Sequence, residues 1–184
     1  MRGFLRIMCL VLTATVPIVL SVCALAYENE PYDFRGIKWG SRIDKMSDMV
    51  LDLDGGDFKA YTRKHDEMMI GDAKLNSLHY IFYKGRFYCV RIEFTGPSNF
   101  NKIREEFLRI YGEPGGRQYY DRHFYWGGEN ASITLDYDES TGTGEVGYKY
   151  MPVDFRIDED QKNQAIDDVR GSAGKPTSDG EQRN

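Results

Sequence analysis

One thiol and three imidazoles are the side chains best suited to chemistry beyond the amino-terminal stretch: Cys89, His65, His79 and His123. A cysteine beside an imidazolium loses its proton more readily and becomes a nucleophile or a metal ligand. In a hairpin built from residues 78–82 and 86–94, Cys89 and His79 fall as cross-strand neighbours on one face. That pair is the route to an enzyme or a metal-binding protein. No third residue joins it at a recognisable spacing, and the adjacent Ile81 and Phe87 read as ordinary packing. A metal centre wants three or four converging ligands, and the histidines show no close-spaced pair. The sequence implies no cofactor and offers no catalytic set.

Other patterns resolve into structure. Asp52-Leu53-Asp54-Gly55-Gly56-Asp57 resembles the start of a calcium loop, but its fifth position is Gly56 and its twelfth is Arg63, where a bidentate Glu is required. A helix end followed by a turn accounts for it. Ser132 and Thr134 lack a Gly-x-Ser-x-Gly context, and Gly127-Gly128 and Gly142-Thr143-Gly144 are turn glycines. Asn130-Ala131-Ser132 is a glycosylation sequon, meaningful only in a host with that machinery. Tyr119, Tyr120, Phe124, Tyr125 and Trp126 suit a sheet face or core, and less readily a sugar or peptide platform.

The amino terminus is an export signal in form. Arg2 and Arg6 precede an apolar run over 7–22, and Ala24-Leu25-Ala26 offers a small-x-small cleavage site. The run is shorter than the roughly 20 residues that cross a bilayer comfortably. The expectation is a periplasmic or secreted protein with no transmembrane segment after cleavage. The alternative is a lipid anchor on Cys23, since Leu20-Ser21-Val22-Cys23 resembles a lipobox, although Val22 is larger than that position favours. Cleavage after Ala26 leaves 158 of the 184 residues, enough for one domain with a real core. It removes Arg2 and Arg6, so Lys plus Arg falls from 24 to 22 against 29 Asp plus Glu, a net charge of −7. Such a chain lacks the basic footprint that nucleic acid requires. It also retains Cys89 as its single cysteine, so no intramolecular disulfide supports it.

These residues need elements to position them. With 13 Tyr and 10 Phe, the composition favours sheet. Ser41 can cap a helix whose stripe is Ile43, Met46, Val50 and Leu53, with Asp44 completing a capping box and Gly55-Gly56 ending it. Strands are predicted over 58–65, 78–82, 86–94, 119–126, 131–137 and 145–150, with a possible short one over 68–70. A second helix over 98–111 carries Phe100, Ile103, Phe107 and Ile110, and Gly112 and Pro114 close it.

Register separates two hairpins. A two-residue Lys84-Gly85 turn pairs Phe82 with Phe87 and sets Leu78, Tyr80 and Phe82 beside Cys89, Arg91 and Glu93, an incoherent face. A three-residue loop, Tyr83-Lys84-Gly85, unites them with Tyr88, Val90, Ile92 and Phe94 and is preferred. The opposite face then carries His79, Ile81, Phe87, Cys89, Arg91 and Glu93, of which the first five are the candidate binding surface. An exposed apolar patch there invites an envelope partner, a second copy or the C-terminal segment.

The halves also look alike. Phe34-Arg35-Gly36 precedes the first helix and Phe94-Thr95-Gly96 the second, while Tyr61 and His65 match Tyr119 and His123 at a separation of 58. The fold class expected is α+β: an antiparallel sheet with two helices on one face, as two degenerate α-β-β-β repeats over 27–153. The segment 154–184 is charged and largely disordered, with a loose helix possible over 158–170.

The stretch Phe34-Arg35-Gly36-Ile37-Lys38-Trp39-Gly40, with Tyr61 to Gly71, Gly85-Arg86-Phe87 and Tyr111-Gly112-Glu113-Pro114, resembles small exported bacterial proteins of unassigned function that open with F-x-G-I-x-W-G. The likeness spans Phe34 to Met151. It implies a bacterial envelope location, no activity, and no catalytic residues to carry over. The functional expectation is a non-enzymatic periplasmic binding or adaptor protein that uses an open sheet face.

Overall fold

A computed structural model describes residues 29–115 and 122–173, with side chains to residue 167. The leader with Cys9 and Cys23, the pair Tyr119 and Tyr120, and residues 174–184 lie outside the described residues.

The F-x-G-I-x-W-G stretch is structural. Arg35 and Gly36 both have positive φ, 50° and 81°. That is the backbone of a two-residue hairpin turn of the primed type. It folds β1 (Asp33–Phe34) onto β2 (Ile37–Lys38) and sends Phe34 and Ile37 into the core. Arg35 then reaches Asp66 Oδ1 at 2.6 Å and the Met69 carbonyl at 2.7 Å. The Tyr80 hydroxyl, otherwise stranded in the core, donates to Asp66 Oδ2 at 2.6 Å. Trp39 stacks on Phe87 with ring centres 4.8 Å apart and donates to the Pro31 carbonyl at 2.8 Å.

The helix expected from Ser41 does not form. Ser41 O accepts the Phe87 amide at 2.9 Å, and the Ile43 amide donates to Gly85 O at 3.1 Å. Those bonds hold the backbone extended against the 85–87 stretch, and Asp44 pairs with Arg42 rather than completing a cap. One 3₁₀ turn over Ile43–Lys45 is all that follows. Beyond it, β3 (Met49–Gly55) pairs antiparallel with β4 (Phe58–Arg63) across the Gly56-Asp57 turn. The glycines read as a helix stop are a hairpin turn, because the segment before them finds a ladder partner in the strand after them.

A small hairpin follows, β5 (Met69–Ile70) with β6 (Ala73–Lys74). The sheet continues through β7 (Ser77–Tyr83), β8 (Arg86–Thr95), β9 (His123–Gly127), β10 (Ala131–Asp138) and β11 (Thr143–Tyr150). All seven main strands are antiparallel in the order β3-β4-β7-β8-β11-β10-β9. Helix α1 (Pro97–Tyr111) starts at Pro97, which tolerates a first-turn position, and buries Phe100, Ile103, Phe107 and Tyr111. Tyr111 replaces Ile110 in the predicted stripe. These side chains cover one sheet face, the inner one, with Leu78, Tyr80, Val90, Ile92, Ile133, Leu135, Trp126 and Val146 beneath.

The second helix is elsewhere. α2 (Met151–Ala173) runs where a largely disordered tail was expected. It buries Val153 and Ile157 against Tyr83 and Tyr88, on the opposite, outer face. Two apolar side chains four residues apart make one helical face, enough to dock the first half of a charged helix. The α+β class with an antiparallel sheet and two helices therefore stands, with its helices on opposite faces. The 58-residue correspondence does not map onto elements: His65 lies past the end of β4, whereas His123 opens β9.

The β7–β8 hairpin combines both registers considered. Its turn is the two-residue Lys84-Gly85, with φ of 47° and 75°, and it pairs Phe82 with Phe87. A β-bulge then absorbs Tyr88, so that Ile81 pairs with Cys89, Tyr80 with Val90 and Leu78 with Ile92. One extra residue turns Tyr88 outward and Phe87 inward. Phe87, expected on the candidate binding face, is 0% exposed in the main core.

Two substitutions test this packing. Phe87→Ala is expected to cost about 3–5 kcal/mol in urea unfolding, the range for truncating a buried aromatic. Gly144→Ala is expected to cost about 1–3 kcal/mol, by overpacking, because an added Cβ would sit 2.1 Å from the Phe94 ring.

Candidate functional site

Alternation along the central strands lays the outer face out in cross-strand rows. Ile81, Cys89, Lys149, Ser132 and Gly127 form the first, and His79, Arg91, Gly147, Thr134 and Tyr125 the second. Ser77, Glu93, Glu145, Asp136 and His123 form the third. Thr95, Thr143 and Asp138 begin a fourth.

α2 crosses the end of this face at the first row. The rest is open. An open trough of about 950 Å³ follows the third and fourth rows, bordered by Asn76 on one side and His123 on the other, and is also lined by Phe94, Gly144 and Tyr137 between those rows and by Arg122. Its carboxylates are Glu93, Glu145, Asp136 and Asp138. Glu145 accepts from Arg91 at 2.6 Å, a bond that raises the guanidinium's pKa above its ordinary value. Asp136 pairs with His123 Nδ1. The Glu93 carboxylate accepts the Ser77 hydroxyl at 3.0 Å, and its main-chain carbonyl accepts the Asn76 amide at 2.7 Å. Asp138 accepts both the amide and the hydroxyl of Ser140, at 2.8 and 2.6 Å, and these hold its carboxyl below its ordinary pKa. Arg122, at the rim, is paired with Glu139 and lies over the Phe100 and Tyr137 rings. The trough is therefore acidic, and its cations are already engaged. Such a surface attracts positive charge.

The sequence-derived site residues are divided by this arrangement. Arg91 and His79 share the second row at the trough's upper margin. His79 bonds to Asp52 at 3.1 Å, a contact that spans β4 and ties down the edge strand β3. Ile81 and Cys89 lie at the α2 boundary, part-buried against Tyr83, Tyr88, Val153 and Ile157. Phe87 is absent from this face. Cys89 thus faces Ile81 rather than His79 across the ladder. Burial pushes its thiol pKa up to about 12, opposite to the shift an activated nucleophile needs. Tyr125 lies on the outer face of edge strand β9, while Phe124 and Trp126 are core.

Of the trough carboxylates, Glu93 was placed on this face from the sequence but left out of the candidate site, and Glu145, Asp136 and Asp138 were not singled out. The signal was there: each alternates with a core residue along its strand. What the sequence lacked was the order of strands that aligns them. Among the described residues, no three His, Cys, Asp or Glu side chains converge in a metal-binding geometry. No helix among them is long and apolar enough to cross a membrane.

Comparisons add no relative: no family model, no curated protein and no solved structure matches the chain.

The Cys89 geometry has a direct readout. Its ¹³Cβ shift is expected to keep the protonated-thiol value up to about pH 10. Titration at or below about pH 8.5, the free thiol's value, would show a thiol open to solvent.

Proposed function

We propose that this chain is a non-enzymatic binding or adaptor protein of a bacterial envelope, and that its outer-face trough receives a cationic, extended segment of a partner. The observation that carries the reading is the third row. Glu93, Glu145 and Asp136 stand side by side on three adjacent strands in an open trough. A peptide lying across the strands would meet all three, and a lysine or arginine placed by Glu93 would meet a carboxylate whose described side-chain hydrogen bond is to a hydroxyl.

Several features support the location. Residues 1–26 have the three-part pattern of a secretory leader, and the F-x-G-I-x-W-G stretch resembles small exported bacterial proteins. The same reading includes descent from a doubled three-strand unit, its first copy without the leading helix, supported by two three-strand meanders, β4-β7-β8 and β11-β10-β9, lying side by side. The alternative, an envelope enzyme or metal-binding protein working through Cys89 and His79, has no geometric support. The two face different partners and the thiol is held protonated.

Charge reversal tests the proposal. Fluorescent hexalysine is the probe, and the variant Glu93→Lys/Glu145→Lys is compared with a control of equal net charge, Glu105→Lys/Glu159→Lys. A fall of roughly ten-fold or more in affinity is expected in the first and not in the second, because only the first reverses two carboxylates that meet the peptide. Equal weakening in both would reduce the effect to net charge and end the trough assignment.

A further inference from the structure

The second, smaller apolar cluster lies under α2. Its floor is Phe58, Ile81, Tyr83, Tyr88 and Cys89 on β4, β7 and β8. Of the α2 side chains described, only Val153 and Ile157 are buried against it. From 161 to 167 every residue of the helix is exposed. The floor belongs to strands that the main core already holds in place through their inner faces. The groove therefore keeps its shape independently of what fills it.

A lysine stands at each margin, the Lys84 ammonium lying also 3.8 Å from Asp57 of the neighbouring turn. Lys149 stands at one end, 3.4 Å from Asp154. Lys84 stands at the other, 2.6 Å from Asp160, whose same oxygen accepts the Tyr83 hydroxyl at 2.7 Å. α2 thus supplies an acid, two branched apolar residues and a second acid, in the order the groove presents a lysine, an aromatic floor and a second lysine.

We propose that this groove is a helix-docking surface which the chain's own α2 occupies as an internal stand-in, and that its external ligand is an acidic amphipathic helix of a partner protein. The ligand carries two branched apolar residues four apart, with a carboxylate one position after the first and three after the second. Recognition of this kind lays one apolar helical face into a groove and reads charge at its rims. Exchange requires α2 to leave while the sheet persists. The helix is suited to that, since among the described residues its side-chain docking rests on one turn of apolar contact, two half-exposed ion pairs and the Tyr83 hydroxyl bond to Asp160. This inference does not depend on the trough reading, which concerns other residues and the opposite charge.

Cys89 reports the exchange, because it lies in the floor. Its alkylation in the whole chain, read by peptide mass spectrometry, is expected to proceed through local opening, at a rate insensitive to low urea. Asp160→Lys is expected to speed it roughly ten-fold while leaving the urea midpoint within experimental error. In the variant Val153→Asp/Ile157→Asp, labelling is expected to be fast. A synthetic peptide of residues 151–167 should restore slow labelling, and a scrambled peptide should not. Labelling of the unaltered chain that follows only global unfolding would overturn the proposal. So would failure of the peptide to protect Cys89 in the variant while far-ultraviolet dichroism shows an intact sheet.

Discussion

The bulge at Tyr88 decides how the rest of the molecule is assembled. A strand that alternates strictly sends every second residue to each face. β8 breaks that alternation once, and the break sends Phe87 inward with Val90, Ile92 and Phe94, and Tyr88 outward with Cys89, Arg91 and Glu93. Inward, Phe87 meets Trp39 of the lead-in and Tyr80 and Phe82 of β7. Outward, Tyr88 helps make the floor on which α2 rests. Without the extra residue, one of these two clusters would lose its central aromatic ring.

Much of the fold was legible because local rules agreed with it. Apart from the bulge at Tyr88, the strands from 78 onward alternate, and the α1 stripe ends at Gly112 as expected. The expected first helix misread Ile43, Met46, Val50 and Leu53, whose spacing suits a helix equally well. Their fate was settled by backbone bonds from Ser41 and Ile43 to Phe87 and Gly85, across more than forty residues of sequence. Local pattern carries no information about such partners. The hairpin register was half-legible for a related reason. Face coherence correctly placed Val90, Ile92 and Phe94, but a loop and a bulge satisfy that criterion equally, and only the turn geometry separates them. The C-terminal helix was legible only as a loose one over 158–170; its start at Met151 and its docking were not, because two apolar residues in a charged run look negligible until a groove is there to receive them.

The candidate site shows the same division. Arg91 and His79 were assigned to the correct face from alternation alone. Glu145, Asp136 and His123 come from strands whose place in the sheet follows from a return connection, with β11 rather than β9 beside β8. That order brings Glu145 beside Glu93, a juxtaposition of carboxylates that sequence distance conceals. Arg91, diagonal to this pair, binds Glu145 and so separates the two charges.

Lys84 occupies a turn position with φ of 47°, a conformation that an L residue with a side chain adopts at a cost of about 1–2 kcal/mol. The same residue holds Asp160, 76 positions later. Its ammonium is therefore aimed by the turn, and the turn exists only once β7 and β8 have paired. This gives the chain a built-in order of assembly: strands first, then helix. As the polypeptide emerges, α2 finds a seat only if the central hairpin has closed in the bulged register, so a docked α2 certifies a correctly folded sheet.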